Sequence, residues 1–232
     1  MKSIPEKLSN AFTNFYKEVS SNSAYKDLCF DVQGIPTSCY NMLNKDQWNH
    51  FKQTVQELSG SEQSFIDLAC GNGNILLHLE ELYQLHCFGV DILSEAIPPL
   101  SSEKYLQLDL NQKYSLEKSF NFAYCLDGLY NVPKKEKQVE RILKTLKPGG
   151  FLYLTFSETS NTKLIEKKLP QFTKTEYTTQ DQLMWDLAFN FIVEKEVELG
   201  GFLYKTKKSE IDNFLKLHKS KKVRRFSYIF HS

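Results

Sequence analysis

The feature that most constrains the fold is an apolar run, residues 65–69, that ends directly in a turn containing Gly71 and Gly73. Residues 75–83 follow, and their apolar side chains recur at the spacing of one helix face. A short buried strand, a glycine turn and an amphipathic helix together form the opening of a Rossmann-like βαβ unit. Glycines let backbone N–H groups approach a ligand closely, and the start of a helix adds a partial positive charge. The pattern therefore predicts an α/β domain that binds a nucleotide at this turn.

The turn departs from the dinucleotide-binding fingerprint at one position. That fingerprint needs a small residue three positions after the second glycine, where helix and strand pack closely, and this chain has Leu76 there. A pyrophosphate loop is therefore disfavoured, and with it a nicotinamide oxidoreductase. The next predicted strand, residues 85–91, ends in Asp91, and an acid at this place can accept both ribose hydroxyls of an adenosine. These residues favour an adenosine-containing ligand other than a dinucleotide.

Three more strands are predicted downstream, over residues 105–110, 121–127 and 151–156. The ordered set of motifs resembles the class I S-adenosylmethionine-dependent methyltransferases over about residues 60–157. A single motif of this kind is common by chance, whereas four in the family's order are not. The motifs that carry the resemblance are Asp67–Gly73, Val90–Asp91, Leu108–Leu110 and Leu146–Gly150.

The resemblance implies a doubly wound, seven-stranded, mostly parallel sheet in the order 3-2-1-4-5-7-6, with an N-terminal helical lid and a helical insertion before the last strand. It implies methyl transfer from S-adenosylmethionine to a small-molecule N, O or C acceptor, which leaves S-adenosylhomocysteine. Asp91 would hold the ribose, and Asp109 with Leu110 would hold the adenine. The residues expected to bind the cofactor are Tyr16, Asp67, Ala69, Cys70, Gly71, Gly73, Asp91, Ile92, Asp109, Leu110 and Leu126.

Residues 1–60 form the predicted helical cap, and residues 61–232 form the cofactor-binding catalytic domain. Apolar side chains recur at helical spacing in three segments of the cap, so three helices are predicted there. One side of these helices is too apolar to stand alone, so we expect the cap to pack over the carboxyl edge of the sheet, where α/β proteins bind ligands. Most aromatic residues of the cap are interpreted as packing. Tyr16 is the exception, because small-molecule methyltransferases that this chain resembles often close a cap tyrosine on the methionine end of the cofactor.

The loop after the fourth predicted strand holds the candidate catalytic residues, Asp127 and Tyr130. A loop that leaves the end of a central strand faces the reactive end of a bound cofactor, and loops so placed often contact substrate. A base is needed only where the acceptor must lose a proton, and either side chain is a candidate for that role. The alternative is structural, with Asp127 capping the turn and Tyr130 packing under the lid.

Residues 172–177 and 223–230 are predicted as the last two strands. Helices are predicted between them, at residues 181–199 and 209–218. An insertion at about residues 181–219 departs from the resembled family, in which these two strands form a hairpin. Long insertions are usually functional or exposed, so this one is expected to be a second lid or a dimer contact.

Charge is unevenly distributed along the 232 residues. The net charge is +1, yet residues 204–225 carry nine Lys or Arg against Glu210 and Asp212. Such a stretch is either a solvated lysine face or a contact for nucleic acid, although only three of the 29 cations are Arg. A methyltransferase acting on RNA or protein therefore remains an alternative. A catalytically silent S-adenosylmethionine-binding partner protein is another.

The remaining composition sets the expected compartment. Five cysteines without a C-x-x-C pair are expected to be reduced core thiols, and five scattered histidines give no metal-ligand spacing, so no metal is predicted. No apolar run is long enough to span a bilayer, and residues 1–5 do not resemble the start of a signal peptide. The expectation is a cytoplasmic monomer or homodimer with a small-molecule methyl acceptor.

Overall fold

The computed structural model describes residues 6–58, 63–112, 114, 116, 120–130, 132–160 and 162–232. Its strands are β1 (Ser64–Leu68), β2 (His86–Asp91), β3 (Tyr105–Gln107), β4 (Phe120–Leu126), β5 (Leu146–Thr159), β6 (Phe172–Glu176) and β7 (Val223–His231). They form one seven-stranded sheet in the order β3-β2-β1-β4-β5-β7-β6. Strands β1 to β5 pair in parallel, and β7 runs antiparallel between β5 and β6. The predicted sheet and its order are confirmed.

The described helices lie before, between and after these strands. They are α1 (Glu6–Ser21), α2 (Ser23–Leu28), α3 (Lys45–Leu58), α4 (Asn74–Tyr83), α5 (Lys135–Leu143), α6 (Thr178–Glu194) and α7 (Glu196–Lys219). A short π-helix, Cys29–Gln33, continues α2, and 3₁₀ turns occur at Ser102–Lys104 and Glu166–Lys168. The three helices predicted before the sheet are therefore present; residues 1–5 and 59–60 of that segment lie outside the described residues. Within the described residues, none of the helices has both the length and the apolar character needed to cross a bilayer.

Alternating side chains along the strands build two cores, one on each face of the sheet. In β4, Phe122 and Tyr124 belong to the core that also contains α3, whereas Ala123 and Cys125 belong to the core that also contains α5. Phe51 of α3 contacts Tyr124, with the ring centroids 5.1 Å apart. Helix α3 thus packs on a face of the sheet. All five cysteines are buried and free, as predicted.

Strand β3 is shorter than predicted. It ends at Gln107, so Asp109 and Leu110 lie in the turn that follows. The strand is at the edge of the sheet and pairs only with β2. The Asp109 carboxylate accepts a hydrogen bond from the backbone N–H of Asn111 at 2.9 Å, which favours a turn over continued pairing. The predicted strand over 105–110 is wrong in its second half for this reason.

The two helices of the insertion also differ from the prediction. Helix α6 ends at Glu194, and α7 continues through 200 to 219 with one break at Gly200, where φ is 73° and ψ is 157°. The predicted stop after residue 199 is therefore an interruption within α7. The second helix begins well before residue 209 because Leu203, Lys207 and Ile211 form one buried stripe at four-residue spacing. Lys207 is part of this buried stripe, although it belongs to the basic stretch for which the sequence predicts a solvated face or a nucleic-acid contact.

Candidate active site

One cavity of about 350 Å³ lies at the carboxyl ends of β1, β2 and β4. Parallel α/β sheets bind ligands at this edge. Eleven of the thirteen predicted site residues line the cavity, namely Tyr16, Asp67, Ala69, Cys70, Asp91, Ile92, Asp109, Leu110, Leu126, Asp127 and Tyr130. Gly71 and Gly73 do not line it. The structure therefore brings most of the predicted residues to one place, and their roles remain predictions.

The glycine turn begins where β1 stops pairing with β2. The backbone N–H groups of Ala69 and Cys70 both donate to the carbonyl of Val90, at 2.8 and 3.0 Å. Ala69 and Gly71 both have positive φ, 68° and 56°. The left-handed region costs an L-residue about 1–2 kcal/mol and costs glycine almost nothing. The turn therefore holds one strained alanine beside a glycine that suits its conformation.

Asp91, at the end of β2, is tied to this turn by its side chain. Its Oδ2 accepts a hydrogen bond from the N–H of Gly71 at 2.8 Å, and its Oδ1 accepts one from the N–H of Leu93 at 3.3 Å. Burial raises the pKa of Asp91, and these backbone bonds oppose the rise. The carboxylate lines the cavity, so its remaining lone pairs are placed to accept hydroxyl groups of a ligand.

Asp67 is a second buried carboxylate on the cavity wall. Burial raises its pKa well above the usual range, and nearby Asp91 adds to the rise. No ion pair with either acid occurs among the described parts of the chain. A ligand that supplies positive charge and hydroxyl donors would suit two buried acids that have no cationic partner in the described parts of the chain.

Tyr16 of α1 covers the turn directly. A Cβ built on Gly71 would come within 2.5 Å of the Tyr16 ring, so only glycine fits beneath it. Burial raises the pKa of Tyr16 well above 10, so the phenol remains protonated. The ring also contacts Phe12 and Tyr40, with centroids 6.4 and 6.1 Å away. We call Phe12, Tyr16 and Tyr40 the aromatic corner; all three line the cavity.

Asp127 does not stand free at the end of β4. Its Oδ1 accepts a hydrogen bond from Thr155 Oγ1 at 3.0 Å and one from Tyr130 Oη at 3.3 Å. The Arg225 guanidinium on β7 pairs with both carboxylate oxygens, Nη1 with Oδ1 at 2.7 Å and Nη2 with Oδ2 at 2.8 Å. Both candidate catalytic residues therefore belong to one buried ion-pair network. The carboxylate could take a proton from an acceptor only by weakening this ion pair.

Arg225 is the centre of that network, and its side chain is 2% exposed. A guanidinium has five N–H donors, and here the three nitrogens all have acceptors within hydrogen-bond reach. The acceptors are Asp127, Tyr130 Oη, Ser157 Oγ, Gln47 Oε1 and the carbonyl of Met42. Burial opposes the charge, but Asp127 and Tyr130 outweigh it and raise the pKa of Arg225. Because the network joins β7 to the cap, it fixes the far wall of the cavity.

A second buried network lies behind this wall. Asp181 Oδ2 is 2.8 Å from His218 Nε2 and accepts a hydrogen bond from Trp185 Nε1 at 3.1 Å. Asp181 Oδ1 has no hydrogen bond within the described residues and lies 3.8 Å from Arg225 Nε. The indole of Trp185 lines the cavity and stacks on Phe214, with centroids 4.4 Å apart. Asp181 therefore holds one aromatic wall of the cavity in place.

A family model described as a methyltransferase domain matches residues 43–190, which is more than half of the chain. The chain belongs to this methyltransferase family.

Two relatives of this chain show the range of sequence similarity. Phosphoethanolamine N-methyltransferase 2 of Caenorhabditis elegans is 26% identical over 102 residues, 40% of this chain and 23% of the relative. Norajmaline N-methyltransferase of Rauvolfia serpentina is 20% identical over 164 residues, 60% of this chain and 56% of the relative. The chain thus spans only part of the length of these relatives.

Among solved structures, this chain is similar to phosphoethanolamine N-methyltransferase 2 of Haemonchus contortus. That structure is a complex with phosphomonomethylethanolamine and S-adenosylhomocysteine. The TM-score is 0.66 at 14% identity, over 95% of this chain and 60% of that one. At this identity the match shows the fold alone. The predicted Rossmann-like methyltransferase fold is therefore confirmed.

Several functional candidates in this methyltransferase-family structure had not been singled out from the sequence. They are Arg225, Asp181, Trp185, Lys207, Glu210 and Phe214. The sequence predicts either a solvated face or a nucleic-acid contact for the basic stretch 204–225, but Lys207 and Arg225 within it are buried. Strand alternation carried one usable signal: adjacent arginines in β7 must point to opposite faces, so one of Arg224 and Arg225 had to face the core.

Proposed function

We propose that the protein transfers a methyl group from S-adenosylmethionine to an N, O or C atom of a small molecule and leaves S-adenosylhomocysteine. The observation that carries the proposal is the bond from Gly71 N–H to the Asp91 carboxylate, at the edge of a cavity that continues to Asp127. The small-molecule acceptors of the named relatives support it as well.

The residues at the β1 and β2 ends fit this cofactor chemically. Asp91 and Asp67 are buried carboxylates on the cavity wall that lack a cationic partner among the described residues. A ribose supplies hydroxyl donors to the first, and the ammonium group of a methionine end supplies positive charge near the second. Asp109 and Leu110, in the turn after β3, line the cavity on the side proposed for the adenine.

When bound, the cofactor supplies a methyl group that is already activated by its positive sulfur. The residues of this chain then have to bind and orient the cofactor and the acceptor, and they have to exclude water. Alignment of an acceptor atom with the methyl group contributes several kcal/mol by proximity alone. Tyr16 closes the turn from the cap side, and the Arg225–Asp127 pair gives the opposite end a fixed shape. Tyr130 and Asp127 would contact the acceptor as positioned hydrogen-bonding groups.

The burial of the Lys207 and Arg225 side chains supports a small-molecule methyl acceptor rather than an RNA acceptor. Both are buried, so the basic stretch 204–225 presents fewer charges to a phosphate backbone than its composition indicates. Retention on heparin separates the two acceptor classes.

The cofactor proposal is tested by calorimetric titration of S-adenosylhomocysteine into the wild type and into Asp91→Asn. Loss of a charge-assisted acceptor at this place is expected to weaken binding about 100-fold. Asp186→Asn, which changes an exposed carboxylate on α6, is the matched control and should bind like the wild type. Thermal stabilisation by S-adenosylhomocysteine and not by NAD is expected in parallel. Absence of binding to the wild type, or equal affinity for Asp91→Asn, would contradict the proposal.

A further inference from the structure

The part of the cavity beyond the glycine turn is walled by aromatic rings. Two members of the aromatic corner, Tyr16 and Tyr40, meet at 80° and so form perpendicular walls. The Trp185–Phe214 stack lies on the side of the insertion, with its rings parallel within 6°. Rings placed around one space can hold a cation through the negative charge of their faces.

The cations near this space are already engaged. The three nitrogens of Arg225 all have acceptors, and Asp127 pairs with its charge. Lys207 has no exposed surface; its Nζ donates to Glu210 Oε2 at 2.9 Å and lies 4.4 Å from the Tyr40 ring centroid. No lysine lines the cavity within the described residues. Among the described residues, a phosphate or carboxylate on the acceptor would therefore meet no available cation.

Glu210 adds negative charge to the same space. It lies on α7, lines the cavity, and its side chain is 24% exposed. One oxygen is held by Lys207, and no hydrogen bond within the described residues engages the other. The lysine contact therefore fixes the carboxylate without covering it completely.

The geometry points to a methyl acceptor that is an amine, bound as an ammonium cation, with no phosphate or carboxylate of its own. Glu210 and the rings of Trp185 and Phe214 are the residues that select it. This inference rests on the proposed function and names its substrate class. It also separates this chain from the relatives named for phosphoethanolamine, whose acceptor carries a phosphate.

The transfer itself balances without a further reactant. The bound ammonium first releases a proton to water, which exposes the nitrogen lone pair. That pair forms the new N–C bond while the C–S bond breaks and its electrons remain on sulfur. The product is again an ammonium cation with one more methyl group, so the rings and Glu210 suit both substrate and product.

The experiment uses three matched probes in calorimetric titrations of the complex with S-adenosylhomocysteine. Choline carries the cation alone, 3,3-dimethylbutan-1-ol is its neutral carbon isostere, and phosphocholine adds a phosphate. Choline is expected to bind roughly tenfold more tightly than the isostere, and phosphocholine no more tightly than choline. Equal affinity for choline and the isostere, tighter binding of phosphocholine, or no binding of any probe would each overturn the inference.

Two variants assign the selectivity to residues. Glu210→Gln should lower the affinity for choline about tenfold and leave the affinity for the neutral isostere unchanged. Glu196 is an exposed acid on the same helix, and Glu196→Gln should change neither affinity. Trp185→Leu tests the ring wall without disturbing Lys207 and should lower choline affinity more than isostere affinity. Unchanged choline affinity in both site variants would overturn the inference.

Failure of the inference and failure of the proposed function give different results. Binding of S-adenosylhomocysteine without selectivity for choline would leave the methyltransferase proposal standing and reject the amine. Absence of cofactor binding would reject the methyltransferase proposal, and the same three probes titrated into the protein alone would still decide whether the cavity selects a cation.

Discussion

The two ends of the cavity are built in different ways. At the glycine turn, a backbone N–H of Gly71 meets a side chain only 20 residues later, Asp91. At the other end, Arg225 meets Asp127 across 98 residues and Gln47 across 178. The first end uses backbone groups and a conformation that short sequence motifs specify. The second uses long side chains that only the finished fold brings together.

This difference explains what each end contributes. The backbone N–H of Gly71 has a fixed direction once the turn forms, so it holds the Asp91 carboxylate in one orientation at the cavity. At the other end, side chains from the cap, β4, α6, α7 and β7 set the shape of the cavity, so this end depends on distant parts of the sequence. We call the glycine-turn end with Asp91, proposed to bind the cofactor, the common end, and the end with Asp127 and Arg225, proposed to contact the acceptor, the specific end.

Removing Arg225 is expected to have the largest effect at the specific end. Arg225→Met leaves the Asp127 carboxylate, which is 13% exposed, without its cationic partner, and breaking a largely buried pair in this way typically costs about 3–5 kcal/mol of unfolding free energy. Arg224→Met is the matched control on the neighbouring residue. Its side chain is 58% exposed and pairs with Glu176 at the surface, so at most about 1 kcal/mol should be lost. Urea denaturation of the three proteins measures both values.

The double variant Arg225→Met with Asp127→Asn separates charge from packing. Replacing both charges should restore part of the lost stability, because the unpaired carboxylate is removed as well. If Arg225→Met loses no more stability than Arg224→Met, the network is not the support that its geometry indicates.

The sequence predicted the common end better than the specific end, and particular residues show why. Alternation and the glycine turn predicted β1, β2 and Asp91 because each depends on neighbours along the chain. Lys207 and Arg225 resembled solvated residues, since a lysine or arginine is usually exposed. Their burial depends on Glu210 and Asp127, and only Glu210 is close in sequence to its partner. Asp127 and Tyr130 line the cavity and their catalytic roles remain predictions, whereas their engagement by Arg225 was not predictable from neighbouring residues.

A substitution at the common end should lower the unfolding free energy by less than Arg225→Met does. Gly71→Ala places a Cβ within 2.5 Å of the Tyr16 ring at a φ of 56°, so we expect a loss of about 2 kcal/mol of unfolding free energy. The measurement is urea denaturation, together with titration of S-adenosylhomocysteine. Combining Gly71→Ala with Tyr16→Leu should recover the part of the lost unfolding free energy that is caused by the clash with the Tyr16 ring. A Gly71→Ala protein as stable as the wild type would show that the cap tyrosine does not rest on the turn.

The smallest expected change is an increase in the unfolding free energy, and it comes from a substitution in the same turn. Ala69 has a φ of 68°, a conformation that costs an L-residue about 1–2 kcal/mol, whereas glycine adopts it freely. Glycine also loses more chain entropy on folding, which offsets part of the gain. Ala69→Gly should therefore raise the unfolding free energy by about 1 kcal/mol in the same urea experiment. A loss of stability instead would mean that the packing of the Ala69 methyl group contributes more than its backbone strain costs. This methyl group packs against the core that also contains α5. The common end would then depend on side-chain packing as the specific end does.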